Sequence, residues 1–226
     1  MDILREDHDI IVVYKEAGLA TQSGRIGQKD LVSEVKKHLA GAGKAPYLGI
    51  IHRLDQPVEG LLVFAKTKEA AADLTAQLQN EGLGKFYYAV TCKRGAQEEG
   101  DLEDHLQKDP ATGLQTVCRQ GATSQRAALH YRLIAEEDGL FLYQIKLETG
   151  RFHQIRVQMA HAGMSLIGDQ KYGGERAVQI ARQKGIRTVA LCAYALSFRH
   201  PKSGAPVTVE IRPKGAAFEA FARRMK

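Results

Sequence analysis

The spacing of hydrophobic residues along the chain follows two periods, and each period predicts one kind of element. Runs that are continuously apolar, or that alternate with polar residues, predict β-strands. They cover 9–14, 61–64, 85–92, 126–134, 140–147, 188–198 and 206–211. Apolar residues three or four positions apart predict helices. These cover 30–40, 67–80, the stretch between Gly150 and Gly163, and 175–184. Strands and helices are therefore interspersed.

Turn signals between these elements indicate how the strands pair. EEDG joins two strand-like runs and PKSG precedes the last one, and both predict hairpins. The polar region 95–120, with DPATG as a turn, is predicted to be a surface excursion. The pattern favours an α+β fold, a mainly antiparallel mixed sheet with flanking helices, over a doubly wound parallel sheet. We find no repeat or Pro/Gly/Ser-rich linker and predict a single domain over 1–226.

Composition narrows the choice of partner and compartment. Lysine and arginine total 32 against 26 acidic residues, a net charge of +6 that favours anionic partners, with nucleic acid first. Three widely spaced cysteines predict neither a zinc site nor a disulfide framework. The N-terminus has no apolar signal core, and no apolar stretch approaches the length of a membrane span. We therefore expect a cytoplasmic protein without a membrane segment.

The tetrapeptide HRLD at 52–55 places charged residues shortly before the apolar run 61–64. In an extended backbone Arg53 and Asp55 share one face of the segment. His52 and Leu54 share the opposite face. Spacing alone leaves two interpretations open. The pair is either an internal ion pair that shapes the fold or a carboxylate positioned for chemistry.

Two further stretches could carry chemistry. TGRFHQIR is predicted to be a turn entering a helix, with His153 and Arg156 neighbouring each other on one face. That face either lines a cleft or is solvated. In KFYYAV, strict alternation puts Tyr87 and Tyr88 on opposite faces, and Tyr87 has space beside it for a flat group to stack. Ordinary strand packing is the alternative for Tyr87.

These stretches occur together in a recognisable order. HRLD before a glycine and an apolar strand, then KFYYAV, ETGRFHQIRV and GDQKYGG, resemble the motifs of RluA-type pseudouridine synthases in order and approximate spacing. DHDIIVVYKEAGL and SFRHPKSGAPVTVEIRP resemble the opening strand and the closing hairpin of that family. The resemblance covers nearly the whole chain and implies the pseudouridine synthase fold with a central RNA-binding cleft.

Matched residue by residue, the resemblance implies roles for individual side chains. Asp55 is expected to be the catalytic carboxylate, Tyr87 the active-site tyrosine, and Arg156 the arginine that pairs with Asp55. Arg53 resembles the arginine that enters the RNA stack where the target uridine has left. The remaining motif residues that we expect to lie at the RNA are His52, Arg151, His153 and Gln154.

The chain departs from the family pattern at several positions. Val58, Glu59 and Gly60 stand where relatives usually have Thr-Ser-Gly, so Glu59 adds a negative charge near Asp55 in the sequence. Phe152 replaces the usual small hydroxyl residue. We find no RNA-binding module of the S4 type, so the catalytic domain is expected to hold RNA by itself.

The implied reaction sets the expected partners. Uridine isomerisation breaks the bond from base N1 to the ribose, rotates the uracil and rejoins it through C5, so we expect neither a cofactor nor a metal. The expected partner is structured RNA, ribosomal or transfer, bound by a monomer with no obligate protein partner. Two alternatives stay open: a catalytically silent RNA-binding protein on the same scaffold, and a nucleoside or glycoside hydrolase acting at the same sugar carbon.

Overall fold

The computed structural model describes residues 1–24, 27–40, 46–80 and 82–225. They group into two compact units, Met1–Lys85 with Ala193–Ile211, and Phe86–Cys192 with Arg212–Lys226. The predictions of one domain over 1–226 and of a central cleft stay predictions. None of the helices in the described part of the chain has the length and hydrophobicity needed to cross a lipid bilayer.

The first unit is built on a sheet that begins at the N-terminus. Its strand neighbours follow the order β1, β2, β4, β10, β11, and β3 also pairs with β4. The strands are β1 Asp2–Glu6, β2 Ile10–Lys15, β3 Gly49–Ile50, β4 Glu59–Ala65, β10 Leu191–Arg199 and β11 Pro206–Glu210. The pairings β1–β2, β2–β4, β3–β4 and β10–β11 are antiparallel. Strand β10 starts in the second unit and continues into the first.

Both helices of this unit begin at the residues that the sequence indicates. Helix α1 (Leu31–Leu39) starts after Asp30, whose side chain accepts a hydrogen bond from the Ser33 N–H, and α2 (Lys68–Gln79) starts after Thr67, which caps it in the same way. Gly41 and Gly43, predicted to end α1, lie outside the described residues. Apolar side chains from α2 and the sheet form one core, including Ile10, Leu61, Val63, Leu74 and Leu196.

Close approach of two backbones makes a glycine necessary in β4. Gly60 has φ +131°, and a Cβ there would lie 2.5 Å from backbone atoms of Ala193. The predicted strands at 9–14, 61–64, 188–198 and 206–211 are confirmed, with small shifts at their ends.

The second unit contains a sheet whose strands follow the order β5, β9, β8, β6, β7. The strands are β5 Gly84–Thr91, which begins in the first unit, β6 Glu99–Lys108, β7 Gln115–Cys118, β8 Gln125–Glu137 and β9 Leu140–Leu147. Pairs β6–β7, β6–β8 and β8–β9 are antiparallel. The remaining elements are α3 Gln154–His161, α4 Gly174–Gln183 and a 3-10 helix at Ala216–Phe221.

The predicted EEDG hairpin is confirmed. Asp138 and Gly139 both have positive φ, 52° and 70°, which is the backbone of a tight two-residue hairpin turn. The region 95–120, predicted to be a surface excursion with DPATG as a turn, forms the strands β6 and β7, which pair across that turn. Their polar sequences gave no strand pattern, and neither did β1, whose residues are all exposed.

Candidate active site

The HRLD segment lies between β3 and β4 and has no regular secondary structure. Asp55 is partly buried, Arg53 is exposed and His52 is partly buried. The carbonyl of Asp55 accepts a hydrogen bond from the Val58 N–H at 3.0 Å, which turns the chain toward β4. Arg53 is thus accessible to a partner, whereas Asp55 is held in a defined turn.

Hydrogen bonds from the loop after β2 fix this turn. The Thr21 hydroxyl donates to the Leu54 carbonyl at 2.8 Å and accepts from the Leu54 N–H at 3.2 Å. The Gly18 N–H donates to the Gln56 carbonyl at 2.8 Å, and the Gln56 amide donates back to the Gly18 carbonyl at 3.0 Å. Residues on both sides of Asp55 are therefore bonded to one loop, which defines its backbone position.

A buried lysine sits beneath both loops. Lys15 has no solvent exposure, and its ammonium donates to the carbonyls of Leu19 at 2.7 Å, Glu16 at 3.0 Å and Gln56 at 3.1 Å. Three donors on one ammonium match three backbone acceptors. Lys15 thus ties the loop after β2 to the residue that follows Asp55.

Two carboxylates act electrostatically on this lysine. Burial lowers the pKa of Lys15 to about 8, and the negative charges of Asp55 and Glu59 act against that shift. Glu59 is itself buried, and its carboxylate accepts a hydrogen bond from the Tyr14 hydroxyl. The acidic departure noted in the sequence is therefore an internal group beside Lys15, not a surface charge.

His52 is held in its neutral form. Its Nε2 accepts a hydrogen bond from the Val63 N–H at 3.3 Å, and a protonated nitrogen could not accept it. Burial, together with the positive charge of Lys85, lowers the pKa of His52 to about 3. At neutral pH His52 therefore supports β4 and brings no positive charge toward an RNA phosphate.

Tyr87 lies in β5 and is buried, with 6% of its surface exposed. Tyr88 is buried as well, so both faces of this strand are covered. Alternation along a strand sends the two rings to opposite faces, as the sequence predicts. Because both rings are buried, burial does not distinguish a catalytic role of Tyr87 from ordinary packing.

In the second unit Arg156 forms a buried, two-point ion pair with Asp169. Nε donates to Oδ2 at 2.8 Å and Nη2 donates to Oδ1 at 2.7 Å, and both residues are at most 3% exposed. Burial acts to raise the pKa of Asp169, but bonds from Arg156 and from the N–H groups of Lys171 and Tyr172 outweigh it, so this pKa lies below its usual value. Asp169 holds the guanidinium in a fixed plane.

Tyr172 connects Arg156 to His153. The Arg156 guanidinium carbon lies 5.2 Å from the centre of the Tyr172 ring, within the range of a cation–π contact. The Tyr172 hydroxyl lies 2.9 Å from His153 Nδ1 and accepts a hydrogen bond from the Gln115 N–H at 3.0 Å. The predicted neighbours His153 and Arg156 thus meet on one tyrosine.

Gln154 organises the turn before α3. Its Oε1 accepts from the Thr149 hydroxyl at 2.7 Å and from the Arg151 N–H at 2.9 Å, and its Nε2 donates to the Ala128 carbonyl at 3.0 Å. The side chain is 3% exposed. These bonds favour a supporting role for Gln154 over direct contact with RNA.

The structure distributes the predicted residues between the two units. Asp55 lies in the first unit, and Tyr87 and Arg156 lie in the second. Their predicted meeting, including the pairing of Arg156 with Asp55, stays a prediction. Sequence reasoning assigned no role to Asp169, although it is the acid of the GDQKYGG motif. The apolar residues Leu166 and Ile167 just before it were the signal in the sequence for a buried charge that needs a partner.

One cluster in the described residues has the composition of a metal site. Asp7, Asp9 and His200 place one ligand atom each within 4.8 Å of one another. The bond from His200 Nε2 to Asp7 is 3.0 Å, and His200 Nδ1 accepts the N–H groups of Lys202 and Ser203. Because Nδ1 accepts, Nε2 carries the proton. Hydrogen bonding within the protein thus accounts for the arrangement.

Residues 9–161 match the family model described as RNA pseudouridylate synthase. The chain belongs to this family. It is 35% identical over 217 residues to the ribosomal large subunit pseudouridine synthase D of Pseudomonas aeruginosa, covering 90% of this chain and 65% of that protein. It is 33% identical to an uncharacterized RNA pseudouridine synthase, YlyB, of Bacillus subtilis, covering 93% of this chain and 68% of that protein. The chain thus spans about two thirds of each relative.

A solved structure of the family confirms the fold. Human RNA pseudouridylate synthase domain containing 4 superposes with a TM-score of 0.77 at 22% identity, over 98% of this chain and 92% of that one. The predicted pseudouridine synthase fold, mainly antiparallel with flanking helices, is therefore confirmed. The family assignment made from HRLD, KFYYAV and TGRFHQIR is confirmed too.

Proposed function

We propose that the protein is an RNA pseudouridine synthase, an isomerase that converts specific uridines in ribosomal or transfer RNA to pseudouridine. The observation that carries the proposal is the span of the family match. Residues 9–161 include Asp55, Tyr87 and Arg156, each within its motif. A protein that had kept the scaffold only for RNA binding would have no need of all three.

The reaction needs a base outside the RNA stack. A uracil inside structured RNA is inaccessible, so the enzyme flips it out at a cost of roughly a few kcal/mol. We assign Arg53 to the vacated position, because a planar guanidinium both stacks and donates hydrogen bonds. Arg53 is exposed, as expected of a side chain that extends from the protein into the RNA.

Asp55 is the proposed nucleophile. A carboxylate attacks an electron-poor carbon, C1′ of the ribose or C6 of the uracil, and must be ionised to do so. We assign Arg156 as its cationic partner. The bond from N1 to C1′ then breaks, the uracil rotates, C5 bonds to C1′, and the bond to Asp55 breaks to regenerate the carboxylate, with no atom gained or lost overall.

Tyr87 is the proposed proton acceptor. Once C5 is bonded to the sugar it carries a proton that must leave to restore the aromatic uracil, and N1 gains one. A buried phenol in β5 suits transfer of this proton directly or through a relay. The other motif residues have supporting roles. His52 and Gln154 hold their loops, and His153 positions Tyr172. Arg151 is exposed, and we assign it to a phosphate of the RNA.

The test is conversion of uridine in deproteinised cellular RNA, with pseudouridine measured by chromatography of the digested nucleosides. We expect activity in the wild type and a loss of at least about 1000-fold in Asp55→Asn. Asp138→Asn is the matched control, because it removes the same charge at an exposed hairpin turn whose positive φ asparagine tolerates.

Each alternative function has its own outcome in this assay. RNA binding without pseudouridine in any variant would support the silent RNA-binding protein. Release of free uracil would support the hydrolase. Equal activity in the wild type and Asp55→Asn would reject the assignment of Asp55. The name of the Pseudomonas aeruginosa relative makes ribosomal RNA the first substrate to assay.

A further inference from the structure

Phe152 is the most exposed large hydrophobic side chain among the described residues, with 52% of its surface exposed. Its ring is stacked on the imidazole of His153, with centroids 3.7 Å apart and planes 23° apart. Because the imidazole covers one face, the exposed surface is mainly the opposite face and the edge. A flat, apolar face is thus presented to solvent.

The backbone that carries this ring is held rigidly. The Gln154 N–H donates to the Arg151 carbonyl at 3.1 Å, and the Gln154 side chain accepts the Arg151 N–H at 2.9 Å. Nε of Arg151 donates to the Arg126 carbonyl at 3.0 Å. His153 has φ +56°, a left-handed conformation that a non-glycine residue adopts only where its surroundings impose it. Phe152 is therefore preorganised.

Support for the ring continues into the protein. His153 is 7% exposed and meets the Tyr172 ring edge to face, with centroids 5.5 Å apart and planes 81° apart. Tyr172 in turn packs against Arg156. Phe152 is thus the outermost of three successive rings that end at a proposed catalytic residue.

We propose that the exposed face of Phe152 is a stacking platform for an unpaired base of the RNA substrate. The proposal rests on the RNA substrate assigned above. Aromatic side chains stack on bases of any sequence, because every base has a π-face. The adjacent Arg151 is exposed and supplies a cation for the phosphate of the stacked nucleotide.

Phe152 departs from the RluA-type motif, which usually has a small hydroxyl residue at this position. Such a residue offers no ring to a base. The platform therefore adds an anchor on the RNA that a small hydroxyl residue cannot supply, and it holds one unpaired nucleotide. Its effect falls on RNA binding and KM, while kcat depends on Asp55.

Stacking can be measured directly with single-stranded RNA oligonucleotides that carry 2-aminopurine, whose fluorescence is quenched on stacking. We expect quenching with the wild type and with Phe152→Tyr. In Phe152→Leu we expect the quenching to be lost and Kd to rise about 10-fold. Tyr47→Leu is the matched control, since Tyr47 is an aromatic with 42% exposure in the other unit, and it should leave both values unchanged.

The outcomes separate this inference from the proposed function. Unchanged quenching and Kd in Phe152→Leu, with an active wild type, would overturn the platform and leave the isomerase standing. If the wild type makes no pseudouridine, and quenching seen with the wild type is lost in Phe152→Leu, the isomerase is overturned and the platform stands. On cellular RNA, Phe152→Leu should raise KM with little change in kcat.

Discussion

Two turns carry the proposed chemistry, and they are held in different ways. The turn around Asp55 is tied to the loop after β2, which is remote in sequence. The bonds come from the buried ammonium of Lys15 and from reciprocal bonds with residues 18–21. The turn before Arg156 is tied mainly by a neutral amide, Gln154, while Arg156 itself is fixed by Asp169. The first turn contains an amine that titrates near neutral pH, and the second is held by an amide that does not titrate.

This difference sets how each turn responds to its surroundings. An ammonium with a pKa of about 8 changes charge just above neutral pH, whereas an amide does not titrate. The ion pair of Arg156 with Asp169 responds only to acid, because the pKa of Asp169 is lower in the folded protein than in the unfolded chain. The stabilisation from this pair is therefore fully present above the unfolded pKa of Asp169 and is lost as the pH falls through its folded pKa. Substitutions in each turn test this comparison.

The largest effect is expected from breaking the ion pair in the second unit. Asp169→Asn leaves the buried guanidinium of Arg156 without this counter-charge, which should lower the free energy of unfolding by about 3–5 kcal/mol. Urea denaturation measures the change. Asp138→Asn, the exposed control, should stay within about 0.5 kcal/mol of the wild type. Equal losses in the two variants would contradict the role of Asp169.

A smaller loss at neutral pH, with a distinctive pH dependence, is expected in the first unit. Lys15→Met removes three hydrogen bonds and should cost about 2–3 kcal/mol at pH 7. Between pH 8 and 10.5 the unfolded lysine keeps its proton while the folded one has lost it, so stability of the wild type rises with pH. The free energy of unfolding of the wild type should therefore rise by on the order of 3 kcal/mol relative to that of Lys15→Met across this range.

Comparing the two proteins at each pH cancels the titration of their other groups. A gap that stays constant from pH 8 to 10.5 would show that Lys15 is not buried as a cation. Lys146, an exposed lysine on β9, gives the matched substitution Lys146→Met, whose difference from the wild type should not change over this range.

The smallest of these effects is expected at Gln154. Gln154→Ala leaves Thr149, Arg151 and Ala128 without their bonds to the amide, which should cost about 2 kcal/mol. Because no titrating group is involved, the loss should be the same at pH 7 and pH 10. Thr149→Ser keeps the hydroxyl and should change stability little. A loss in Gln154→Ala that grows with pH would contradict the contrast between the turns.

Much of the fold was predictable because its buried elements have clear periods. The strands at 9–14 and 140–147 and the helix capped by Thr67 follow from apolar spacing and one cap residue. Strands β1, β6 and β7 were not predictable, since they are largely polar or exposed. In β6 the carbonyl of Leu102 and the carboxylate of Asp104 accept from Gln158 of α3, a partner remote in sequence.

The site was predictable at the level of motifs but not of partners. HRLD and TGRFHQIR indicated the family and the proposed catalytic residues. That Glu59 would be buried under Tyr14, and that Arg156 would bind Asp169 thirteen residues later, depends on tertiary contacts that local spacing does not contain. Phe152 departs from the motif in sequence, and its exposure and its stack on His153, which local spacing does not contain, indicate its role.

The bonds between residues 18–21 and 54–56 have a consequence for local opening. Neither segment is in a helix or strand, yet amide protons of both are engaged, at Gly18 and at Leu54. A fluctuation that releases Asp55 from its place must also release the loop after β2, so the two segments open as one cooperative unit. Slow hydrogen exchange in an irregular segment would be its signature.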